Sequence, residues 1–295
     1  CKTNKVLNFL KKFRPDIILH LAAESHVDRS IDKPNDFIQT NIIGTFSILE
    51  ASQKYFSDLT LNRKNIFKFI HVSTDEVFGS LKNLKSLPFN EKSPYSPNSP
   101  YSASKASSDH LVRSWNKTFN LPTVITNCSN NFGPYQSPEK LIPLVISKAI
   151  NGKQIPIFGQ GKQVRDWLFV FDHVKALSKI ITSSKSGTTY NIGGNNELRN
   201  IDLVKKICSK LDELIDIKPR RIKKFSNLIK FVDDRPGHDF RYAINSRKIK
   251  RELGWKAEAK LDIALEVTIR WYLKNQSWYK KNALKLTKRR GLKRQ

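Results

Sequence analysis

The stretch Ile66-Phe67-Lys68-Phe69-Ile70-His71-Val72-Ser73-Thr74-Asp75-Glu76-Val77-Phe78-Gly79 decides the fold. It opens as a short run of β-branched and aromatic residues, the pattern of a strand buried on both faces. It closes on two hydroxyls and two adjacent carboxylates. Carboxylates at the end of a buried strand are costly unless they are used or hydrogen-bonded. Either Asp75 caps a turn and Glu76 is solvated, or the pair forms an acid and a base acting on one substrate. In the second case differing surroundings push their proton affinities apart.

Working outward, Ile17-Ile18-Leu19-His20-Leu21 is a second buried-strand run. Before it, Val6 to Phe13 has helical spacing, with Thr3 or Asn4 as a cap and Pro15-Asp16 as the break. Between the two strands, Asp36 to Tyr55 reads as a helix. Downstream come a loop rich in Pro, Ser and Asn (Leu87 to Pro100), a helix over Tyr101–Phe119 and a strand at Thr123–Thr126. This alternation predicts parallel βαβ units with right-handed crossovers, hence a doubly wound α/β sheet. Ligands in such sheets sit at the carboxyl ends of the strands, here Ala22 to His26, Ser73 to Glu76 and Asn127 to Pro134.

The second half has shorter, mixed elements. Helices are expected at Leu141–Ile150, Asp172–Ile181 (Asp172 as N-cap) and Ile201–Leu214. Strands are expected at Ile155–Phe158, Val164–Phe171 and Tyr190–Ile192. The pattern suggests a first domain over 1–130 and a smaller α/β lobe over 131–295, with about 165–193 returning to the main sheet.

Composition narrows the function classes. The chain has 295 residues, 39% of them hydrophobic, which excludes a disordered chain. No apolar run reaches the roughly 18 residues of a membrane-spanning helix. Cys1, Cys128 and Cys208 form neither a disulfide framework nor a metal-ligand spacing, which suits a reducing, cytoplasmic setting. Methionine is absent, even at position 1. Cys1 would suit a lipoprotein, but a helix begins too soon for a polar tether, and a fragment is the expectation. The 53 basic against 26 acidic residues give a net charge of +27. They are spread evenly except in the tail from Lys280 to Arg294, so neither a specific nucleic-acid role nor a membrane role is expected.

Tyr101 and Lys105 lie four apart at a helix start, on one face and one turn apart. An ammonium beside a phenol favours the phenolate, which can take a proton from a sugar hydroxyl. With Ser73–Gly79, the run Tyr101-Ser102-Ala103-Ser104-Lys105 resembles the extended short-chain dehydrogenase/reductase family. Within it the chain is most similar to the nucleotide-sugar 4,6-dehydratases. The likeness includes His20-Leu21-Ala22-Ala23-Glu24-Ser25-His26-Val27-Asp28-Arg29-Ser30-Ile31, Ser129 to Pro134 and Asp234 to Asp239, and runs from the first helix to about Tyr272.

The resemblance implies an NAD-binding fold and a nucleotide-sugar substrate, dTDP-glucose. It implies that Tyr101 deprotonates the sugar 4-hydroxyl, that Thr74 bonds the same oxygen, and that Lys105 lowers Tyr101 and holds the nicotinamide ribose. Hydride would leave carbon 4 for NAD, Glu76 would take the carbon-5 proton, Asp75 would protonate the departing 6-hydroxyl, and hydride would return at carbon 6. Leu21, Ala22, Ala23, Ser25 and Thr40 would line the cofactor, with Ser25 also reaching the substrate. Asn130, Lys140, Leu141, Arg165, Asn200, Arg235 and His238 would hold the nucleotide diphosphate. The family also implies a homodimer through a helix pair that includes Tyr101–Phe119.

Some family features differ here. Phe78 stands where the family often has Tyr, and Asn127 where it often has Arg. The Gly-rich phosphate turn, and the acidic residue about 20 positions after it, are not in this sequence. By the size of a mononucleotide-binding half, roughly 50–60 residues of the family pattern precede Cys1. Such a shortened chain is expected to fold poorly and not to retain NAD. The alternative readings are a related epimerase or dehydratase of UDP- or GDP-sugars and an inactive remnant. Asp75-Glu76 favours dehydration, because simple epimerisation needs no elimination pair.

Overall fold

The computed structural model describes residues 2–219 and 222–287. Its first layer is a parallel sheet of β1 (Ile17–His20), β2 (Lys68–Thr74), β3 (Thr123–Cys128) and β7 (Thr188–Ile192), in that order. The register pairs Leu19 with Ile70, Ile70 with Val124, and Val124 with Thr188. Successive side chains of β2 point to opposite faces. Phe69 packs with Leu10, Leu49, Val112 and Leu121 on one side, whereas Ile70 packs with Val124, Leu177, Ile180 and Tyr190 on the other. Both faces are covered, which is why apolar residues occur at both parities of the strand, as at Phe69, Ile70 and Val72. The fold is a Rossmann-like α/β sheet.

The connection from β1 to β2 contains α2 (Val27–Asp32), α3 (Pro34–Phe37), a π turn (Ile38–Ile43), α4 (Gly44–Ser57) and α5 (Leu61–Ile66). The helix expected over Asp36–Tyr55 is therefore opened near its start by a wider turn. The first helix, α1 (Thr3–Phe13), packs on α4. The crossover from β2 to β3 is α6 (Pro100–Phe119).

The second lobe starts from β4 (Asn130–Phe132), which follows β3 almost directly. It pairs with β6 (Val164–Phe169), and β6 pairs antiparallel with β8 (Glu197–Arg199). A separate ladder joins β5 (Ile155–Phe158) to β9 (Ile229–Val232). Helices α7 (Leu141–Ile150), α9 (Asn200–Leu214), α11 (Leu261–Lys274) and α12 (Gln276–Thr287) complete this lobe. Its core joins Ile146, Ile157, Leu203, Ile207, Leu265 and Ile269. The chain returns to the first sheet through α8 (Val170–Ser183) and β7, where α10 (Arg247–Leu253) packs.

One boundary differs from the sequence reading. The strand expected to reach Phe171 stops at Phe169, and α8 begins at Val170 with Phe169 as its cap residue. Asp172 is not the cap. Its carboxylate turns inward to accept the amides of Glu258 (3.1 Å) and Ala259 (2.9 Å). Among the described residues no helix is long and apolar enough to cross a membrane. The basic tail beyond 287 lies outside the described residues.

Candidate active site

The helix that carries Tyr101 and Lys105 is fixed at its start by a reciprocal cap. Ser99 Oγ accepts from the Ser102 amide at 3.1 Å, Ser102 Oγ accepts from the Ser99 amide at 3.0 Å, and Pro100 takes the first turn. Tyr101 and Lys105 are thereby set over the carboxyl end of β2, and both are buried. The Lys105 ammonium donates to the Val72 carbonyl at 2.9 Å.

Thr74 ends β2 and caps the short 3-10 turn Asp75–Phe78, its hydroxyl accepting from the Glu76 amide at 3.3 Å. Tyr101 lies beside the same hydroxyl, which offsets part of the rise in its proton affinity. Thr74, Asp75, Glu76, Tyr101 and Lys105 thus form one strip.

The two carboxyls differ in surroundings. Asp75 is buried, and burial, then Glu76 and Asp166, push its proton affinity far up. Its Oδ2 is buried with no protein partner. Glu76 is also raised by burial, but Arg165, Arg235 and Lys140 oppose that rise. Asp75 is therefore the group of the pair that holds its proton more strongly, and Glu76 the one whose neighbours favour its ionised form.

The expected depression of Tyr101 by Lys105 is not what this arrangement gives. Burial and then the charge of Glu76 raise the phenol well above its ordinary value. Lys105 does not offset that rise: its ammonium donates to the Val72 carbonyl, and burial lowers its own proton affinity.

The second lobe brings cations to the strip. Arg165 on β6 is buried, stacks on the Tyr242 ring at 4.2 Å and donates to the Asp239 carbonyl at 3.0 Å. Arg235 reaches Asp28 at 2.8 Å, and its Nε is buried without a partner. Lys140, the residue before α7, donates to the Ser25 carbonyl at 2.6 Å, and Leu141 begins that helix. Asn130 on β4 has a buried, unpartnered Oδ1. Asn200 and His238 lie further along, around Asp234. Asp234 accepts from His238 Nδ1 at 2.6 Å and from Gln163 at 2.8 Å, and the Asn200 amide donates to the Gln163 carbonyl at 2.9 Å. Asn200 Oδ1 is also buried without a partner. Burial and the nearby Arg235 lower His238 to about 4.

Leu21, Ala22, Ala23 and Ser25 lie in the loop after β1; Leu21, Ala22 and Ser25 are exposed. Thr40, in the π turn, borders a cavity of about 350 Å³ with Glu24, Arg29 and Phe37. Sequence reasoning missed the residue that holds this loop. Asn41 is buried, accepts from the Glu24 amide (2.9 Å), and donates to the Glu24 carbonyl (3.0 Å) and Ser104 Oγ (2.8 Å). A polar residue amid the apolar positions of a helix was the available signal. Tyr242 and the buried His71 and Asp109 were also missed as site residues, and Asn127 was read only as the start of a strand-end loop and a departure from the family pattern.

A sequence profile for GDP-mannose 4,6 dehydratase matches residues 1–268, and the chain belongs to that family. Among individual proteins, it is 54% identical over 288 residues to dTDP-glucose 4,6-dehydratase of Escherichia coli, covering 95% of this chain and 80% of the relative. The dTDP-glucose 4,6-dehydratase of Neisseria meningitidis is 52% identical over 279 residues, covering 95% of this chain and 78% of that protein. In structure it resembles DesIV, a dTDP-glucose 4,6-dehydratase from Streptomyces venezuelae solved with NAD and TYD bound. The TM-score is 0.84 at 37% identity, covering 95% of this chain and 80% of DesIV. A UDP-glucose 4-epimerase from Thermotoga maritima superposes with a TM-score of 0.78 at 26% identity, covering 93% of this chain and 82% of the epimerase.

Proposed function

We propose that this chain is a hydro-lyase that converts dTDP-glucose to dTDP-4-keto-6-deoxyglucose, with NAD as a resident cofactor. The observation that carries the reading is Asp75 beside Glu76, with proton affinities split by their neighbours, next to Tyr101 and Thr74. Elimination of water needs one group to take a carbon-bound proton and another to give one to the leaving oxygen. A simple epimerase needs neither.

The residues present fit the nicotinamide end of the cofactor. Leu21 and Ala22 offer an exposed apolar shelf at the carboxyl end of β1, and Lys105 is anchored on Val72 of the neighbouring strand β2. Leu21, Ala22, Ala23, Ser25 and Thr40 would line the cofactor, and Lys105 would hold its ribose. The chemistry NAD supplies when bound is a reversible two-electron oxidation of the sugar alcohol.

Tyr101 and Thr74 would act on the 4-oxygen, Tyr101 taking its proton. Glu76 would remove the carbon-5 proton made acidic by the adjacent ketone, and neutral Asp75 would protonate the departing 6-hydroxyl. Arg165, Arg235, Lys140, Asn130, Asn200, Leu141, His238 and Ser25 would hold the nucleotide and sugar, with guanidinium forks on phosphate oxygens. Residues 1–130 would thus serve the cofactor, and 131–295 mainly the nucleotide sugar. Both small molecules are metabolites of the cytoplasm, where we place the protein. Exposed Phe46 on α4 and Phe119 on α6 flank Trp115, and we place the contact of a homodimer there.

The test is incubation with dTDP-glucose and NAD. A 4-keto-6-deoxy product gives ultraviolet absorbance in alkali, and it should vanish in Glu76→Gln. Formation of the 4-epimer instead would replace this reading with the epimerase one.

A further inference from the structure

Behind the strip lies a second set of buried ionisable groups to which the proposed reaction gives no task. Asp109 is fully buried on α6, one helical turn beyond Lys105 and two beyond Tyr101. A buried carboxylate without partners is strongly unfavourable. Its Oδ2 accepts from the Tyr95 hydroxyl at 2.8 Å and from Asn127 Nδ2 at 3.2 Å. Its Oδ1 lies 3.3 Å from Nε2 of His71, which is also fully buried.

That same Nε2 is 3.4 Å from the Lys105 ammonium. In the other direction, Asn127 Nδ2 also donates to the Thr74 carbonyl at 3.1 Å. Asp109 therefore reaches Lys105 through His71 and Thr74 through Asn127, one residue in each case.

A neutral imidazole carries a proton on one nitrogen and a lone pair on the other. Nε2 can therefore donate to Asp109 or accept from Lys105, but not both. A carboxylate beside it selects the protonated nitrogen. Lys105 then keeps the Val72 carbonyl as its acceptor and Asp109 as its counter-charge. The other groups facing Lys105 bring no negative charge. Tyr101 on the same helix is raised by burial, and the Cys128 thiol on β3 is pushed up to about 12. His20 on β1 stands 5.1 Å from the His71 ring, and burial lowers it to about 3 and His71 to about 4, so both are neutral. Asp109 itself is held below the usual carboxylate range, against its burial, by His71, Lys105 and the Ser73 hydroxyl.

We propose that Asp109 is a positioning residue of the site. It is the buried counter-charge of Lys105, acting through space past His71, whose Nε2 proton it holds, and the anchor of Thr74 through Asn127. What the strip does rests on the dehydratase reading; how it is held does not.

The first test needs no activity. Long-range proton–nitrogen correlation on the 15N-labelled wild-type chain reports the tautomer of each of its six histidines, with His71 assigned by loss of its signal in His71→Gln. A neutral His71 with its proton on Nε2 is expected at neutral pH. A proton on Nδ1 would mean that Nε2 faces Lys105 as an acceptor, and it would overturn the proposed arrangement whether or not the chain is active.

The second test is Asp109→Asn, which keeps the shape and removes the charge. Without its counter-charge Lys105 gives up its proton at lower pH. The alkaline limb of the kcat profile should move down by about one pH unit, kcat should fall about 10- to 100-fold, and KM should stay within about twofold. An unmoved pH profile, or a raised KM with kcat intact, would overturn the proposal. If the variant does not fold, the wild-type tautomer decides. If the wild type makes no product yet shows the Nε2 tautomer, the dehydratase reading fails and the positioning network stands.

Discussion

Arg235 and Asp28 are 207 positions apart in sequence and 2.8 Å apart in space. The pair ties the end of the second lobe to the short helix after β1. The guanidinium is only partly spent by this contact, since its Nε is buried with no partner. A donor left in that condition favours an acceptor arriving with the ligand.

Replacing Arg235 with alanine is therefore expected to weaken substrate binding more than chemistry. Loss of one charged hydrogen bond costs about 1.5–3 kcal/mol, or about 10- to 100-fold in KM, with kcat changed less than about threefold. Initial rates against dTDP-glucose concentration check this. A kcat loss with KM unchanged would place Arg235 in the chemical step instead.

The carboxyl pair should separate under mutation. Glu76→Gln removes the base, so both product formation and exchange of the carbon-5 proton with heavy water should fall by about 10²–10⁴. Asp75→Asn removes the acid and leaves the base. It should slow product formation by a similar factor while carbon-5 exchange continues. Proton NMR of the sugar in heavy water, beside the alkaline absorbance assay, distinguishes the two. Equal loss of exchange in both variants would mean that the roles are not divided.

His173 gives a pH prediction with a definite sign. Burial lowers it from 6.5 to about 4, and its Nε2 has no partner. Above pH 6.5 it is neutral folded and unfolded, and contributes no pH dependence. Between 6.5 and 4 the unfolded chain takes up a proton that the folded chain refuses, so stability is lost as pH falls. Buried carboxyls with raised affinity act in the opposite sense, so the comparison must be with His173→Gln. Over that window the variant should gain on the wild type by up to about 3 kcal/mol, read as denaturant midpoints at pH 7 and pH 4. A constant difference between the two would show that His173 titrates normally.

Asn41 holds the loop after β1 with three hydrogen bonds, all of them part-buried or buried. Asn41→Leu leaves the Glu24 backbone groups and Ser104 Oγ without those partners, at about 2–4 kcal/mol in total. Thermal melting should fall by several degrees, and NAD retention should weaken with it. A melting point within about one degree of the wild type would show that water or the loop itself replaces the amide.

The main sheet was legible in the sequence because strands covered on both faces appear as short, mostly apolar runs, as Ile66–Val72 and Ile17–Leu21 do. Helix α6 was legible from Tyr101 to Phe119, but its start at Pro100 was read as the end of the loop before it. What stayed hidden had little local signal. The three-residue strands β4 and β8 are set by partners far along the chain. The π turn at Ile38–Ile43 interrupts a helix pattern that looks continuous. Asp172 fits a cap by residue type, yet its acceptors are claimed by amides 86 and 87 positions away. The Thr74–Lys105 strip was readable as motifs. The charges behind it were not, because Asp109 and His71 become neighbours only when β2 and α6 pack.

Two positive groups of the site are held by carbonyl oxygens, Lys140 by Ser25 and Arg165 by Asp239. A carbonyl is a dipole and does not cancel a charge. These cations therefore keep their long-range attraction while staying locked in place, within a chain already carrying a net charge of +27. A doubly charged ligand would feel that attraction well before contact, over about one screening length of 8–10 Å in ordinary salt. The speed of capture, more than the strength of holding, is then what dissolved salt would govern.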